Sequence, residues 1–234
     1  MRKRGLYETF FKRMFDLIVS IVALILLGPL LLFISCLVCI NYGFPVIFVQ
    51  ERPGYQEKIF KLYKFRSMTN EKNQHGELLH DDKRLKTFGK FLRSTSLDEL
   101  PSLINIIKGE LSIVGPRPQL VKDMVFMSKE QRMRHLTRPG LTGLAQISGR
   151  NSISWEEKLN YDLNYLSDIK FSKDIRIILK TVFKVLKRDG ISQKGTETGL
   201  DYGDYLLQNN KINLEYYNLK MREADAILSK CCKL

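Results

Sequence analysis

The chain has 234 residues, enough for one good core with a membrane segment attached. Its formal net charge of +13 calls for anionic partners: nucleic acid, anionic lipid or phosphorylated small molecules. The four cysteines exclude a disulfide framework, with Cys36 and Cys39 in an apolar run and Cys231 and Cys232 among the last residues, and this usage suits a reducing compartment.

Residues 17–40 contain no charged side chain. At about 1.5 Å per residue they are long enough to cross a hydrocarbon core of about 30 Å. A cleaved signal peptide fits less well, because the run is too long and no small-x-small site follows. One spanning helix is the plain reading. Two features favour instead a re-entrant helix that enters, breaks and returns to the same face. Gly28-Pro29 sits mid-run, where proline removes a backbone donor. Both flanks are basic, with Arg2, Lys3, Arg4, Lys12 and Arg13 before and Arg52, Lys58, Lys61, Lys64 and Arg66 after, and positive residues prefer the cytoplasmic side. Arg13 and Asp16, at i and i+3, can pair beside the interface.

Residues 45–50, the turn Arg52-Pro53-Gly54-Tyr55 and residues 58–68 predict strand, turn, strand. Period two places Phe60, Leu62, Lys64 and Arg66 on one face, the last two being a solvated pair or phosphate ligands. Residues 69–83 are polar and contain Gly76, which predicts a mobile loop; its His75, His80, Asp81 and Asp82 imitate a metal site, but a solvated loop explains them better. Residues 85–93 interleave Lys and Arg with Leu85, Phe88, Phe91 and Leu92, a short basic amphipathic helix suited to a membrane surface.

The most informative stretch follows: Ser96-Leu97-Asp98-Glu99-Leu100-Pro101, then Pro116-Arg117-Pro118. Ser96 and Glu99 have the spacing of a helix capping box, which would explain Glu99 without chemistry. It leaves Asp98 unexplained, in a first turn where unpaired amides and the positive dipole end favour a carboxylate or a phosphate. Leu103, Ile104, Ile106 and Ile107 predict a buried helix ending near Gly109. Arg117, restrained by proline on both sides, presents a planar fork suited to phosphate or carboxylate. Arg138-Pro139-Gly140 and Gly149-Arg150-Asn151 repeat an arginine on a tight turn.

Ser154-Trp155-Glu156-Glu157 opens a second capping box, with Trp155, Leu159, Leu163 and Leu166 as a core face. Ile175, Ile178, Leu179, Val182 and Leu186 oppose Arg176, Lys180, Lys184 and Lys187 on a helix for the core or the lipid surface. A helix is expected over residues 214–230. No Asp-x-Asp, P-loop or Gly-x-Gly-x-x-Gly occurs, and no basic recognition helix or aromatic RNA motif supports a nucleic-acid partner.

Taken in order, Lys12-Arg13-x-x-Asp16, the proline-broken run, Tyr63-Lys64-Phe65-Arg66-Ser67-Met68, Ser96-Leu97-Asp98-Glu99-Leu100-Pro101, Val114-Gly115-Pro116-Arg117-Pro118, Arg138-Pro139-Gly140-Leu141-Thr142-Gly143 and Ser148-Gly149-Arg150-Asn151 resemble the bacterial sugar transferase family, the monotopic polyprenyl-phosphate phosphoglycosyl transferases. The resemblance covers residues 8–195. Residues 148–155 (SGRNSISW) and 185–192 (VLKRDGIS) are most similar to members that begin N-linked glycan assembly from UDP-di-N-acetylbacillosamine.

The resemblance implies transfer of a sugar phosphate from a UDP-sugar to polyprenyl (undecaprenyl) phosphate with release of UMP, at the cytoplasmic face of the bacterial inner membrane, with Mg2+ as cofactor. It implies Asp98 as nucleophile and Glu99 as its dyad partner, both also metal candidates, with Arg117 at phosphate. Lys64, Arg66, Arg93, Arg138 and Arg150 are implied as phosphate-binding or structural, and Gly28 and Pro29 as the re-entrant break. Downstream glycosyltransferases are possible partners. The expected fold is α+β: a re-entrant membrane segment (residues 1–42), a compact catalytic domain of amphipathic helices with a small β-hairpin at the membrane surface (43–195), and a tail without assigned role (196–234). A non-enzymatic lipid-binding scaffold is the alternative.

Overall fold

The computed structural model describes residues 5–149, 153–187 and 200–231, with Leu186 described in its backbone only. Arg2, Lys3, Arg4, the site candidate Arg150 and Cys232 lie outside the described residues. The chain is mixed helix and sheet.

The apolar run forms one long helix, α1 (Lys12–Tyr42), preceded by a π-helical turn at Tyr7–Phe11. Helix geometry passes through Gly28 and Pro29, so the break expected there is not an interruption of the helix. Proline removes one internal donor, and the remaining turns carry the helix on. Both halves of α1 lie against the same globule. Near its start, Asp16 accepts from Ser112 Oγ (2.7 Å) and the Ile113 N–H (3.1 Å), and Arg13 donates to the carbonyls of Ile106 and Ile107. Arg13 therefore does not pair with Asp16 as the spacing suggested. Beyond Pro29, Ile34 and Val38 are buried with Phe65 and Leu92. The other face of α1 is bare: Ile25, Leu26, Leu32, Phe33 and Ile40 are all exposed.

The hairpin forms as expected, β1 (Ile47–Pro53) antiparallel to β2 (Ile59–Phe65), with Phe48 opposite Lys64. Phe60 and Leu62 turn inward onto Leu103, Ile106 and Leu111, leaving Lys64 at the open end of the same face. The polar stretch after it has structure of its own. Lys72 bridges Leu78, the Asn73 side chain accepts from the His75 and Glu77 amides, and α2 (Asp81–Arg84) follows. The basic amphipathic helix is α3 (Thr87–Ser94).

Next come a 3-10 turn at Leu97–Ser102 and α4 (Leu103–Lys108), which stops at Gly109 in the left-handed conformation (φ 83°) that glycine tolerates. In α4, Leu103 and Ile106 are buried while Ile104 is exposed, so the expected apolar face is narrower than four residues. Strand β3 (Ser112–Val114) leads to the short helices α5 (Val121–Met124) and α6 (Lys129–Arg132). Strand β4 (Gly140–Thr142) pairs parallel to β3. The approach is tight, because a Cβ on Gly140 would lie 2.1 Å from the Gly115 nitrogen. That contact presses the Pro116-Arg117-Pro118 loop against its neighbour. Helices α7 (Leu144–Ser148), α8 (Trp155–Ser167), α9 (Phe171–Lys187), α10 (Tyr202–Gln208) and α11 (Leu214–Cys231) complete the chain. Trp155 is core, as expected, and Ser154 and Glu157 form the expected capping box.

Candidate active site

Asp98 and Glu99 sit in the 3-10 turn rather than at an α-helical start. Pro101 has no N–H to close an α-type bond to Leu97, so the chain takes the tighter turn first and α4 begins only at Leu103. Ser96 is left-handed (φ 57°) and its side chain caps nothing. The capping box expected of Ser96 and Glu99 is therefore absent, and Glu99 needs another explanation.

Its partners supply one. Glu99 Oε1 accepts from Lys64 Nζ (2.7 Å) and from Arg117 Nη2 (2.8 Å), joining the end of β2 to the Pro-Arg-Pro loop. The Glu99 side chain is 16% exposed and that of Arg117 43%, so the cluster opens to solvent through the arginine. Burial alone would raise the Glu99 pKa, but Arg117 and Lys64 outweigh it and hold this carboxyl well below the usual range. Glu99 in turn raises Arg117. Lys64 is lowered by burial, with Glu99 opposing.

Asp98, one residue earlier, has the opposite environment. It is 7% exposed, and its carboxylate accepts no hydrogen bond from the described residues. Burial, then the adjacent Glu99 charge, pushes its pKa up to about 6, with Lys64, Arg93 and Arg117 pulling the other way. Two neighbouring carboxyls are thus driven apart, one firmly anionic and clamped, the other desolvated and unclamped. Such a split is how acid, base and nucleophile roles are separated in one site.

The other predicted residues divide. Arg93 lies within electrostatic reach of Asp98 while donating from Nε to Ser67 Oγ (3.0 Å). Arg66, just past β2, is engaged by the carbonyls of Met68 and Phe44. Arg138 donates to the Gly109 carbonyl (2.8 Å), at the far end of α4 from the acidic turn. The structure therefore brings together Asp98, Glu99, Lys64 and Arg117 with Arg93 nearby, and leaves Arg66 and Arg138 on backbone carbonyls.

Two cations beside Arg117 were not singled out from the sequence. Arg52 donates from Nη1 to the Pro118 carbonyl (3.0 Å), and its buried Nε has no partner among the described residues. Burial, then Arg117, lowers Arg52 to about 10. It lines a small cleft with Lys64, Glu99, Ser102 and Arg117. The sequence signal was available, since Arg52-Pro53-Gly54 repeats the Arg138-Pro139-Gly140 pattern. Lys158, on α8, is lowered by burial and then by Arg117. Its ammonium lies 5.2 Å from the Trp155 ring centre. No helical period could assign it to this site.

No cluster of three or more His, Cys, Asp or Glu suited to a metal occurs among the described residues. His80 pairs with Asp82 (2.8 Å) in an exposed position, consistent with the solvated loop.

One fold thus holds a long helix with a bare apolar face, a buried acidic turn and a group of cations beside that turn. The model of the family described as bacterial sugar transferase matches residues 7–188. An uncharacterized sugar transferase, EpsL, of Bacillus subtilis is 46% identical over 182 residues, covering 78% of this chain and 90% of EpsL. The undecaprenyl-phosphate galactose phosphotransferase of Salmonella typhimurium is 37% identical over 198 residues, 77% of this chain and 41% of that protein. The UDP-glucose:undecaprenyl-phosphate glucose-1-phosphate transferase of Klebsiella pneumoniae is 42% identical over 184 residues, 74% of this chain and 40% of that protein. This chain thus spans nearly all of EpsL and about two-fifths of the other two. The chain belongs to the bacterial sugar transferase family.

Proposed function

We propose that this protein transfers a sugar phosphate from a UDP-sugar to polyprenyl phosphate, releasing UMP. The observation that carries the reading is the pair of unlike carboxyls: Asp98 buried without a hydrogen bond from the described residues, beside Glu99 clamped by Lys64 and Arg117. In the first step an Asp98 carboxylate oxygen bonds to the sugar-bearing phosphorus, the phosphoanhydride bond breaks and UMP leaves with the electron pair. In the second, an oxygen of the polyprenyl phosphate attacks the same phosphorus and Asp98 is released. Covalent catalysis by a carboxylate divides one difficult displacement into two easier ones. Arg117, 43% exposed at the mouth of the cluster, with Lys64, Arg52 and Lys158 around it, offsets the phosphate charge that would repel the nucleophile.

The donors fit a magnesium ion, which takes hard oxygens and often only one or two protein carboxylates alongside phosphate. The Asp98 carboxylate and Glu99 Oε2, neither of which carries a hydrogen bond from the described residues, would hold it. When bound, such an ion neutralises charge on the diphosphate.

The contact of both halves of α1 with one domain supports a monotopic arrangement, with residues before 17 and after 40 at the same cytoplasmic face. A straight crossing would carry the second half of α1 away from the globule that buries Ile34 and Val38. Cysteine-accessibility labelling on both sides of the apolar run tests this; labels reached from opposite faces contradict it. The donor implied by the runs at 148–155 and 185–192 is an N-acetylated amino sugar, whereas the relatives above carry galactose and glucose in their names. UMP release measured against UDP-sugars of both kinds, with polyprenyl phosphate and magnesium, tests the reaction and the donor together. No UMP from any of them contradicts the reading.

A further inference from the structure

The family match stops at residue 188, yet α10 and α11, both beyond it, are folded onto the catalytic part. Tyr202, Leu206 and Ala224 are buried in one cluster with Phe126, Trp155 and Leu159. The Trp155 and Tyr202 rings lie 5.0 Å apart, and Tyr217 stacks on Phe126 at 5.6 Å.

The polar contacts select two elements. At α5, the Tyr202 N–H donates to Asp123 Oδ1 (2.8 Å), while Asp123 Oδ2 accepts from the Leu120 N–H (2.9 Å) and Asp201 pairs with Lys122. At the first turn of α8, the Trp155 indole N–H donates to the Leu200 carbonyl (2.9 Å), and Glu156 accepts from the Tyr205 hydroxyl (2.8 Å) and pairs with Lys211. These are the elements that flank the cationic side of the site. The Arg117 loop runs directly into α5, and α8 carries Lys158 one turn beyond Trp155. Among the described residues, none that lines the Arg117 cleft comes from the extension itself.

We propose that the C-terminal extension is a positioning strap: by joining the first turns of α5 and α8 it fixes Arg117 and Lys158 relative to each other for the donor's diphosphate. The inference rests on the phosphoryl-transfer reading above. Holding two long cationic side chains and a loop in their bound arrangement removes an ordering cost from donor binding. Because coupling is reciprocal, donor binding must also tighten the docking of the strap.

The chain has one tryptophan, and it lies under the strap, so Trp155 emission reports docking in the full-length protein. A Cβ on Gly203 would lie 2.4 Å from Phe126 Cε2, so Gly203→Ala forces α10 away from its seat. The variant should shift Trp155 emission to the red and raise the KM for the UDP-sugar about tenfold, roughly 1.4 kcal/mol of lost binding, with kcat changed less than about twofold. Adding Phe126→Leu removes the clashing ring atoms and should restore both. Asp201→Asn, which weakens the pairing with Lys122 without steric conflict, should move both readouts the same way by less, and it carries the test if Gly203→Ala does not fold. A red shift with unchanged KM overturns the strap, and so does a raised KM with unshifted emission. Failure of the underlying reading looks different: the unaltered protein would then release no UMP, or Arg117→Ala would release it normally.

Discussion

Ser-x-x-Glu occurs at Ser96 with Glu99 and again at Ser154 with Glu157, and the two segments fold differently. At the second, Ser154 is extended (φ −63°, ψ 165°), its hydroxyl accepts from the Glu157 amide, and the Glu157 carboxylate returns to the Ser154 N–H (2.8 Å). At the first, Ser96 is left-handed and caps nothing, and the Glu99 carboxylate crosses to Lys64 and Arg117. Local sequence offers the same bargain in both places. What decides is distance along the chain: Lys64 is 35 residues away from Glu99, and two cations outcompete one backbone amide for a buried carboxylate. A glutamate drawn out of its cap is thus a sign of a site, and the residue beside it, Asp98, accepts no hydrogen bond among the described residues.

Substitutions break or sharpen this contrast, and the largest effect belongs to Asp98. Asp98→Asn keeps the shape and removes the attacking oxygen, and UMP release should fall by about 10³-fold or more, the scale for losing a reacting side chain. Glu99→Gln leaves Lys64 and Arg117 facing each other without their shared anion. Activity should drop about 10²-fold, and stability by about 1–3 kcal/mol in thermal or denaturant unfolding, the lower end being set by the exposure of Arg117.

The pH dependence sharpens the contrast further. Because the folded Asp98 of the metal-free protein holds its proton up to about pH 6, above the ordinary carboxylate value of 3.8, its contribution makes stability without magnesium fall as pH rises from about 4 to about 6. The nucleophile must be ionised, so kcat/KM for UMP release should rise with pH as Asp98 loses its proton. Opposite trends in a melting series and a rate profile are the expected signature, and Asp98→Asn should flatten the stability trend. Smaller effects belong to the ordinary cap. Ser154→Ala should cost about 1 kcal/mol of stability while leaving UMP release near its normal rate. Smallest of all, Ser96→Gly relieves a left-handed serine and should stabilise the fold by about 0.5–1 kcal/mol, whereas a capping serine would have lost stability.

What could be read in the sequence follows the same division between local and distant causes. The hairpin, the stop at Gly109 and the cap at Ser154 depend on neighbours within a few residues, and each forms where expected. The helical turn at Asp98 was legible as a carboxylate site but not in its geometry, because Pro101 and the left-handed Ser96 delay α4 by several residues. Three arginines on tight turns looked alike. Of the two that the structure describes, Arg117 pairs with Glu99 while Arg138 is drawn to the Gly109 carbonyl; Arg150 lies outside the described residues. Arg52 reaches the site because the hairpin register carries it to the Pro118 carbonyl, a pairing no periodicity contains. The tail had no legible role because its meaning lies in what it covers: Phe126 and Trp155, from segments far earlier in the chain.

The most direct test of a covalent Asp98 intermediate is intact-mass analysis of the full-length protein incubated with its UDP-sugar and magnesium in the absence of polyprenyl phosphate. A gain of one sugar phosphate, absent in Asp98→Asn and discharged on adding polyprenyl phosphate, is the predicted result. The same gain in Asp98→Asn, or turnover by that variant at the normal rate, would contradict it.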